Sequence, residues 1–294
     1  KADFFVCAGQ KQWAYFQEWL AKAGWTDEER QARSGYIPVS LSPDLPERKS
    51  TAESGELTFV YGGVFLPWQD PTGGLFGVIR AMEARGRGKL CFFGGKHPVY
   101  PVSSGIFEEL LQKLTQSPQV EAPGMVSHDE LIERYTRAHV AIDIMKRNAE
   151  RELAFTTRTV EYLWCGLPVL YQDYAELSDY IREYDAGWVV NPDDQTAIDA
   201  ALAEMFERPE LVVRRSRNAQ RLVQEKLTWD KTIGPLEQFI IRADRRTHPK
   251  PREPLVVQNA RYLIGEAWFH YRRTGLGGLW KEGRAFVRRQ FFKG

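Results

Sequence analysis

Between residues 57 and 190, short apolar runs alternate with amphipathic stretches, and this alternation restricts the chain to a small set of architectures. The apolar runs are 57–61, 90–93, 140–144, 169–171 and 188–190, with a weaker one at 120–126. Each is short and rich in residues that favour strands. The segments near 71–84, 106–114, 129–137, 156–164 and 174–184 carry apolar residues at helical spacing. Strand, crossover and strand repeated in this way specify a parallel sheet with helices on both faces. Ligands of such sheets sit at the carboxyl ends of the strands. Three further helices are expected around 196–206, 210–226 and 233–243.

The flanks read differently. Residues 3–7 look like a buried strand, and 10–23 place Trp13, Phe16, Trp19 and Leu20 at helical spacing. Pro38, Pro43 and Pro46 then make 37–46 a stiff, extended connection. We therefore divide the chain into a strand and helix belonging to a preceding domain (1–36), a linker (37–54), the main α/β domain (55–245) and a tail (246–294). The opening Lys1-Ala-Asp-Phe reads as a cut through a longer protein.

Composition narrows the class. With 43% hydrophobic and 27% charged residues, the chain has an ordinary globular balance, and no apolar run reaches the roughly 18 residues of a membrane span. Cys7, Cys91 and Cys165 lie in apolar contexts without CxxC spacing, which argues against a disulfide framework or zinc site and for a reducing, cytoplasmic setting.

The strand ends hold the candidate chemistry. The first apolar run leads into Gly62-Gly63 and the second into Gly94-Gly95-Lys96-His97-Pro98. Glycine pairs there let backbone approach a ligand, although neither pair is a GxGxxG fingerprint or a phosphate-binding P-loop. The segment 150–170 carries the most polar chemistry. Thr156 or Thr157 caps a helix with Val160, Leu163 and Trp164 on its apolar face, Gly166 ends it, and Pro168 opens the next strand. Arg158 falls in the first turn, where free N–H groups and the helix dipole favour phosphate. Plainer roles stand beside these. Arg158 could pair with Glu161 three residues on, Glu161 could be a surface acid, Lys96 a solvated charge and His97 a structural loop residue. His128 and Asp129 read as a helix start, and Asp173 and Asp194 as caps.

Taken in order, Gly62-Gly63, Gly94-Gly95, Gly124-Met125-Val126, Arg158-Thr159-Val160-Glu161 and Gly187-Trp-Val-Val-Asn-Pro-Asp-Asp194 resemble the nucleotide-sugar-binding C-terminal half of GT-B glycosyltransferases of group 1, family 4-like. The resemblance covers about residues 55–245 and implies a Rossmann-like parallel sheet with helices on both faces. It implies that Glu161 accepts hydrogen bonds from ribose hydroxyls, and that Arg158, Thr159, Gly62, Gly63 and Gly95 hold the diphosphate, with Lys96 and His97 beside it. Main chain around Val126 would flank the base. The family's two glutamates have seven residues between them, which puts the first at Leu153. Glu152 is one residue early, and Glu150 fits a variant pattern, so Glu150 is taken with Arg158 as catalytic. The activity implied is transfer of a sugar, with retention, from a nucleoside diphosphate donor to a glycan, lipid or small molecule. The acceptor site would lie on an absent N-terminal domain, and neither cofactor nor metal is invoked, since no Asp-x-Asp pair follows a strand. A sugar epimerase of the same fold and a non-catalytic nucleotide-sugar-binding or membrane-tethering module are the alternatives.

The tail is distinct. From Lys250 onward, ten Lys or Arg stand against three Asp or Glu, within a chain of net charge +1. Residues 267–294 interleave aromatics with arginines, as in a helical segment that lays Trp280, Phe286, Phe291 and Phe292 into an anionic membrane surface and keeps Lys281, Arg284, Arg288 and Arg289 at headgroups. Packing on the body explains the pattern equally, and no fold supports nucleic-acid binding.

Overall fold

Eight strands and twelve helices make up the described part of the chain, which in this computed structural model comprises residues 3–49, 56–64, 66–95 and 107–242, together with Ile264, Ala267, Trp268, Tyr271, Arg272 and Gly275. Two compact units, Lys1–Arg242 and Ala243–Gly294, divide the chain. In the second, the described residues are helical, and Trp268 stacks on Tyr271 at 5.8 Å. The tail residues expected to meet a membrane, Trp280 through Phe292, lie outside the described residues. No helix among the described residues is long and apolar enough to cross a membrane.

The first unit is built on β3 (Thr58–Val64), β4 (Lys89–Gly95), β5 (Val120–Glu121), β6 (Val140–Asp143), β7 (Val169–Gln172) and β8 (Gly187–Val190). They form one parallel sheet in the order β5-β4-β3-β6-β7-β8. Chain order reverses direction between β3 and β6, and a doubly wound sheet opens its ligand crevice at that point.

Alternation along the strands sorts side chains onto two faces. Phe59 and Tyr61 join one core with α3 (Thr72–Arg85), α4 (Phe107–Leu114) and α9 (Gln195–Glu207). Val60 joins the other with α5 (His128–Arg137), α7 (Thr157–Trp164) and α8 (Leu177–Tyr184). The long α10 (Pro209–Lys226) contributes Leu211 and Val212 to the first core and Ala219, Leu222 and Val223 to the second. Each fully buried side chain of this size contributes roughly 1.5–3 kcal/mol, so the two cores dominate the folding energy.

Several boundaries differ from the sequence expectation. The weak strand at 120–126 shrinks to Val120–Glu121, which pair with Leu90 and Cys91 of β4; Pro123 and Gly124, the latter at φ +84°, follow Ala122 and end the strand. The opening strand β1 (Phe5–Cys7) is not buried: it pairs with β2 (Ser34–Tyr36) in a two-stranded sheet, and Val6 is exposed. Between them lie α1 (Gln10–Lys22) and α2 (Asp27–Arg33), the latter started by a Thr26–Glu29 capping box. Asp194 caps α9 as expected, through Ala197 N–H. Asp173 caps nothing, because α8 begins only at Leu177, with Glu176 in the preceding position. The Glu176 carboxylate turns instead to α1, accepting from Gln10 and Lys11 N–H at 2.9 and 2.8 Å.

The proline-rich run is fastened along the domain. Leu41 bridges to Thr228, Trp164 Nε1 donates to Ser42 O at 2.9 Å, and Gln220 Nε2 donates to Pro46 O at 3.0 Å. Arg48 reaches the carboxyl end of α5, donating to the carbonyls of Tyr135, Thr136 and Ala138. Burial lowers its pKa to about 10.

Candidate functional site

At the switch point, β3 and β6 pair only through Phe59–Val140 and Val60–Ala141, while β3 continues to Val64 alongside β4. The Arg158 guanidinium, from the first turn of α7, enters this region. Its Nη2 donates to Asp143 Oδ1 at 2.9 Å, and its Nη1 to the Gly62 carbonyl at 3.1 Å and the Tyr61 hydroxyl at 3.2 Å. Its Cζ lies 4.8 Å from the Tyr61 ring centroid. Asp143 is wholly buried and also accepts from the Thr159 hydroxyl. Burial alone would lower the Arg158 pKa, but Asp143 holds it well above the ordinary value.

This geometry corrects the pairing of Arg158 with Glu161. A buried carboxylate in a low-dielectric crevice competes better for a guanidinium than an acid three residues along a helix surface. Glu161 instead meets His128, the first residue of α5, at 2.8 Å. The Glu161 side chain is 17% exposed and that of His128 67%, so the carboxylate can be approached once the imidazole yields.

The glycines at 62 and 63 are dictated by these neighbours. A Cβ on Gly62 would stand 2.0 Å from the Tyr135 hydroxyl, and one on Gly63 2.4 Å from Arg158 Nη1. Gly63 also has φ +144°, a conformation that L residues rarely adopt. The Gly62 N–H donates to the Tyr162 hydroxyl at 2.8 Å, which anchors the turn to α7. Gly94 and Gly95 lie beside Gly63 and Val64 across the β3–β4 ladder. Met125, largely exposed, lies over Gly95, where a Cβ would fall 2.6 Å from its Cγ, and the neighbouring Val126 is partly buried against the second core. Lys96 and His97 lie outside the described residues.

Thr156 is the N-cap residue of α7, but its hydroxyl bonds to the Tyr171 hydroxyl at 2.8 Å and makes no cap. The expected Thr156 or Thr157 cap is therefore absent. The diversion to Tyr171 leaves the first-turn N–H groups without a side-chain acceptor among the described residues.

Beside this turn opens a pocket of about 350 Å³ that includes Gly63, Gln69, Glu150, Arg151, Thr157, Arg158 and, from α1, Gln12. Glu150 and Arg151 belong to a short helix, α6 (Ala149–Leu153), started by Asn148, which accepts from Arg151 N–H at 2.9 Å. Arg151 grips Glu150 with Nε and Nη2 at 2.5 and 2.6 Å. Burial would lower the Arg151 pKa, and the Glu150 carboxylate raises it. Glu152 pairs with Arg147 at 2.6 Å and does not line the pocket. Leu153 presents its carbonyl to Gln12 Nε2 at 2.9 Å. Three buried polar atoms of pocket-lining residues have no hydrogen-bond partner among the described residues: Gln69 Oε1, Arg151 Nη1 and Arg158 Nε. Buried groups of this kind are normally satisfied, so a polar ligand is the natural complement.

Gly62, Gly63, Arg158 and Thr159 thus meet at one crevice, Glu150 stands at its rim, and Glu161 lies on the adjoining α5–α7 seam. Asp143, Arg151 and Gln69 join them without having been singled out in the sequence. An acid inside the apolar run 140–144, near its carboxyl end, was the available signal for Asp143. No group of three or more His, Cys, Asp or Glu placed to hold a metal ion occurs among the described residues.

Comparisons with known proteins bear on this arrangement. A search of curated protein sequences returns no significant match. Among solved structures, the chain is similar to a sucrose-phosphate synthase from Thermosynechococcus elongatus, with TM-score 0.60 and 22% identity, over 83% of this chain and 60% of that one. It is also similar to WaaG, a glycosyltransferase involved in lipopolysaccharide biosynthesis (TM-score 0.60, 17% identity, 82% and 62% covered). An α,α-trehalose-phosphate synthase (UDP-forming) from Burkholderia vietnamiensis matches with TM-score 0.58 and 11% identity, over 81% and 60%. At these identities the likeness establishes the fold, that of GT-B glycosyltransferases, and the chain spans about three fifths of each protein's length. The family model for glycosyl transferases group 1 matches residues 47–222, more than half of the chain and all six strands of the main sheet. On that match, the chain belongs to the group 1 glycosyltransferases.

Proposed function

We propose that this chain is the donor-binding half of a glycosyltransferase that takes a nucleoside diphosphate sugar and transfers the sugar, with retention, to an acceptor held by a domain outside it. The observation that carries this reading is the position of Arg158: a cation at the switch point, beside the uncapped first turn of α7 and the Gly62-Gly63 turn. Charge, open N–H groups and exposed backbone together suit a diphosphate.

Cleavage of the bond between sugar and diphosphate builds negative charge on the leaving group. Arg158 and the α7 N–H groups would stabilise that charge, and one preorganised donor of this type is worth about 10²–10³ in rate. The reading assigns this work to guanidinium and backbone donors rather than to a metal ion. Glu161, bonded to His128, would take the ribose hydroxyls, since a carboxylate offers acceptors to two adjacent donors. Thr159 holds Asp143, and through it Arg158, in place. With the acceptor domain elsewhere, the chain alone would bind donor without turnover.

Calorimetry with UDP, GDP, TDP and ADP sugars tests this. Binding of one of them, abolished by Arg158→Ala and weakened by Glu161→Ala, is expected. Failure of all four to bind overturns the reading.

We also propose that the basic tail contacts an anionic membrane surface on the cytoplasmic side, on the strength of its interleaved aromatics and arginines. Within it Trp268 is exposed, with Arg272 5.1 Å from its ring centroid. Co-sedimentation with anionic vesicles that is unchanged by truncation at Lys250 overturns this.

A further inference from the structure

Among the described residues, the two arginines that line the pocket are both paired with acids. Arg158 is matched by Asp143 and Arg151 by Glu150. A diphosphate brings several negative charges, so its binding is favoured when one of the two acids gives way. The two acids differ in their freedom to do so. Asp143 has no exposure and is held by both Arg158 and Thr159. The Glu150 side chain is 49% exposed, and its contact is with the adjacent residue.

Arg151 is the unusual partner in that pair. Its side chain is only 6% exposed, yet Nη1 has no acceptor among the described residues, and the residue lines the same pocket as Arg158. A guanidinium buried this deeply needs an anion beside it, and leaving it unmatched is strongly unfavourable. Glu150 meets that need with both carboxylate oxygens. The exposed carboxylate can rotate into water, which resolvates the acid, so the cost of parting falls on the arginine and is offset by an incoming anion. The arginine cannot follow it out.

We propose that Arg151 is a second diphosphate-binding arginine, and that Glu150 is a displaceable carboxylate which holds the guanidinium until the donor's diphosphate takes its place. This rests on the donor-binding reading and deepens it. Exchange leaves Arg151 with Nη1 and the fork vacated by Glu150 directed at phosphate oxygens, and Arg158 with its Nε. The pocket then carries a net positive charge only when a donor is present to use it. The released Glu150 stands at the rim, where the family resemblance places an acid facing the donor sugar.

The test is calorimetry on the full chain, with inorganic pyrophosphate and with UDP, GDP, TDP and ADP as probes. Glu150→Gln removes the competing charge at an exposed position and is expected to tighten pyrophosphate and nucleoside diphosphate binding by about five- to tenfold. Arg151→Met is expected to weaken both by about tenfold or more, with Arg151→Lys recovering part of the loss. In the double variant Glu150→Gln/Arg151→Met, the tightening should vanish. The proposal is overturned if Glu150→Gln leaves pyrophosphate affinity unchanged or weaker, if tightening persists without Arg151, or if pyrophosphate binds neither the wild type nor Glu150→Gln. The donor reading fails by a different sign: no nucleoside diphosphate binds more tightly than pyrophosphate in any variant. The Glu150–Arg151 exchange would still be visible with pyrophosphate in that case.

Discussion

Arg158 and Asp143 meet at 2.9 Å across the point where the sheet changes direction, and neither can be removed without leaving the other stranded: Asp143 has no exposure and the Arg158 side chain only 12%. Asp143→Ala should therefore destabilise the protein by roughly 3–5 kcal/mol, the usual effect of orphaning one member of a buried pair. Urea denaturation at constant m-value reads this. Replacing both residues, as Asp143→Asn with Arg158→Met, should lose less stability than Asp143→Ala alone, since no buried charge is left behind. A double variant less stable than the single would show that the crevice depends on packing rather than charge.

Gly63 separates fold from site. Gly63→Ala adds a methyl group 2.4 Å from Arg158 Nη1 at a φ of +144°. Backbone strain of this kind costs about 1–3 kcal/mol, and the arginine must shift. The expected result is a lower Tm together with at least a tenfold loss of nucleoside diphosphate affinity. Gly62→Ala meets the buried Tyr135 hydroxyl instead, and it should affect stability more than binding. Calorimetry and thermal melts on the two variants separate the effects.

The sheet was legible from the sequence because strand and crossover repeat at a length scale that local patterning captures, from Phe59 through Trp188. The glycine pairs were legible as well, but the reason for them was not. Gly62 is required by Tyr135 and Gly63 by Arg158, partners remote in sequence that only the folded sheet brings together. The helix α6 went unseen because five residues cannot express a helical period, and Arg151 went unseen with it. Glu176 shows the same limit. Its helix and its capping role belong to different elements, so its local context identifies it with α8 while its carboxylate serves α1.

Glu161 and His128 predict a ribose signature. With Glu161 intact, a nucleoside diphosphate should bind more tightly than its 2′,3′-dideoxy analogue. In Glu161→Ala the two should bind alike, because the acceptor that distinguishes them is gone. His128 holds that carboxylate at 2.8 Å. His128→Ala should therefore raise affinity a few-fold, on the scale of one hydrogen bond of about 1 kcal/mol. Equal discrimination in the wild type and Glu161→Ala would move the ribose site elsewhere.

Glu176 fastens the opening helix to the main domain through Gln10 and Lys11 N–H, with Lys11 Nζ donating to Tyr174 O at 2.7 Å. Glu176→Ala should cost about 0.5–2 kcal/mol, as for loss of an N-cap. Hydrogen exchange should localise the change. Amides in the first turn of α1 should exchange faster, while those of α9 and α10 keep their protection. Uniform acceleration across the chain would instead mark a global effect.

Alkaline pH supplies a last prediction, carried by Cys165. Its thiol is fully buried, and burial pushes its pKa from 9.0 to about 12. Burial raises Cys91 and Cys7 in the same sense. A folded-state pKa above the unfolded value means that the unfolded chain releases its proton first. The stability contributed by the protonated thiol is complete below pH 9 and is lost progressively as pH rises towards 12, at up to about 1.4 kcal/mol per pH unit per group. The buried tyrosines at 61, 162 and 171 are raised too, from 10.0, so a decline between pH 9 and 10 belongs chiefly to the thiols and a steeper one above pH 10 to both. Cys165→Ala should flatten the first part of that slope. Alkylation gives an independent check: the half-buried Cys7 should react in the native protein, and Cys165 only once the chain unfolds. Labelling of Cys165 at the rate of Cys7 would show that the second core opens far more readily than its packing implies.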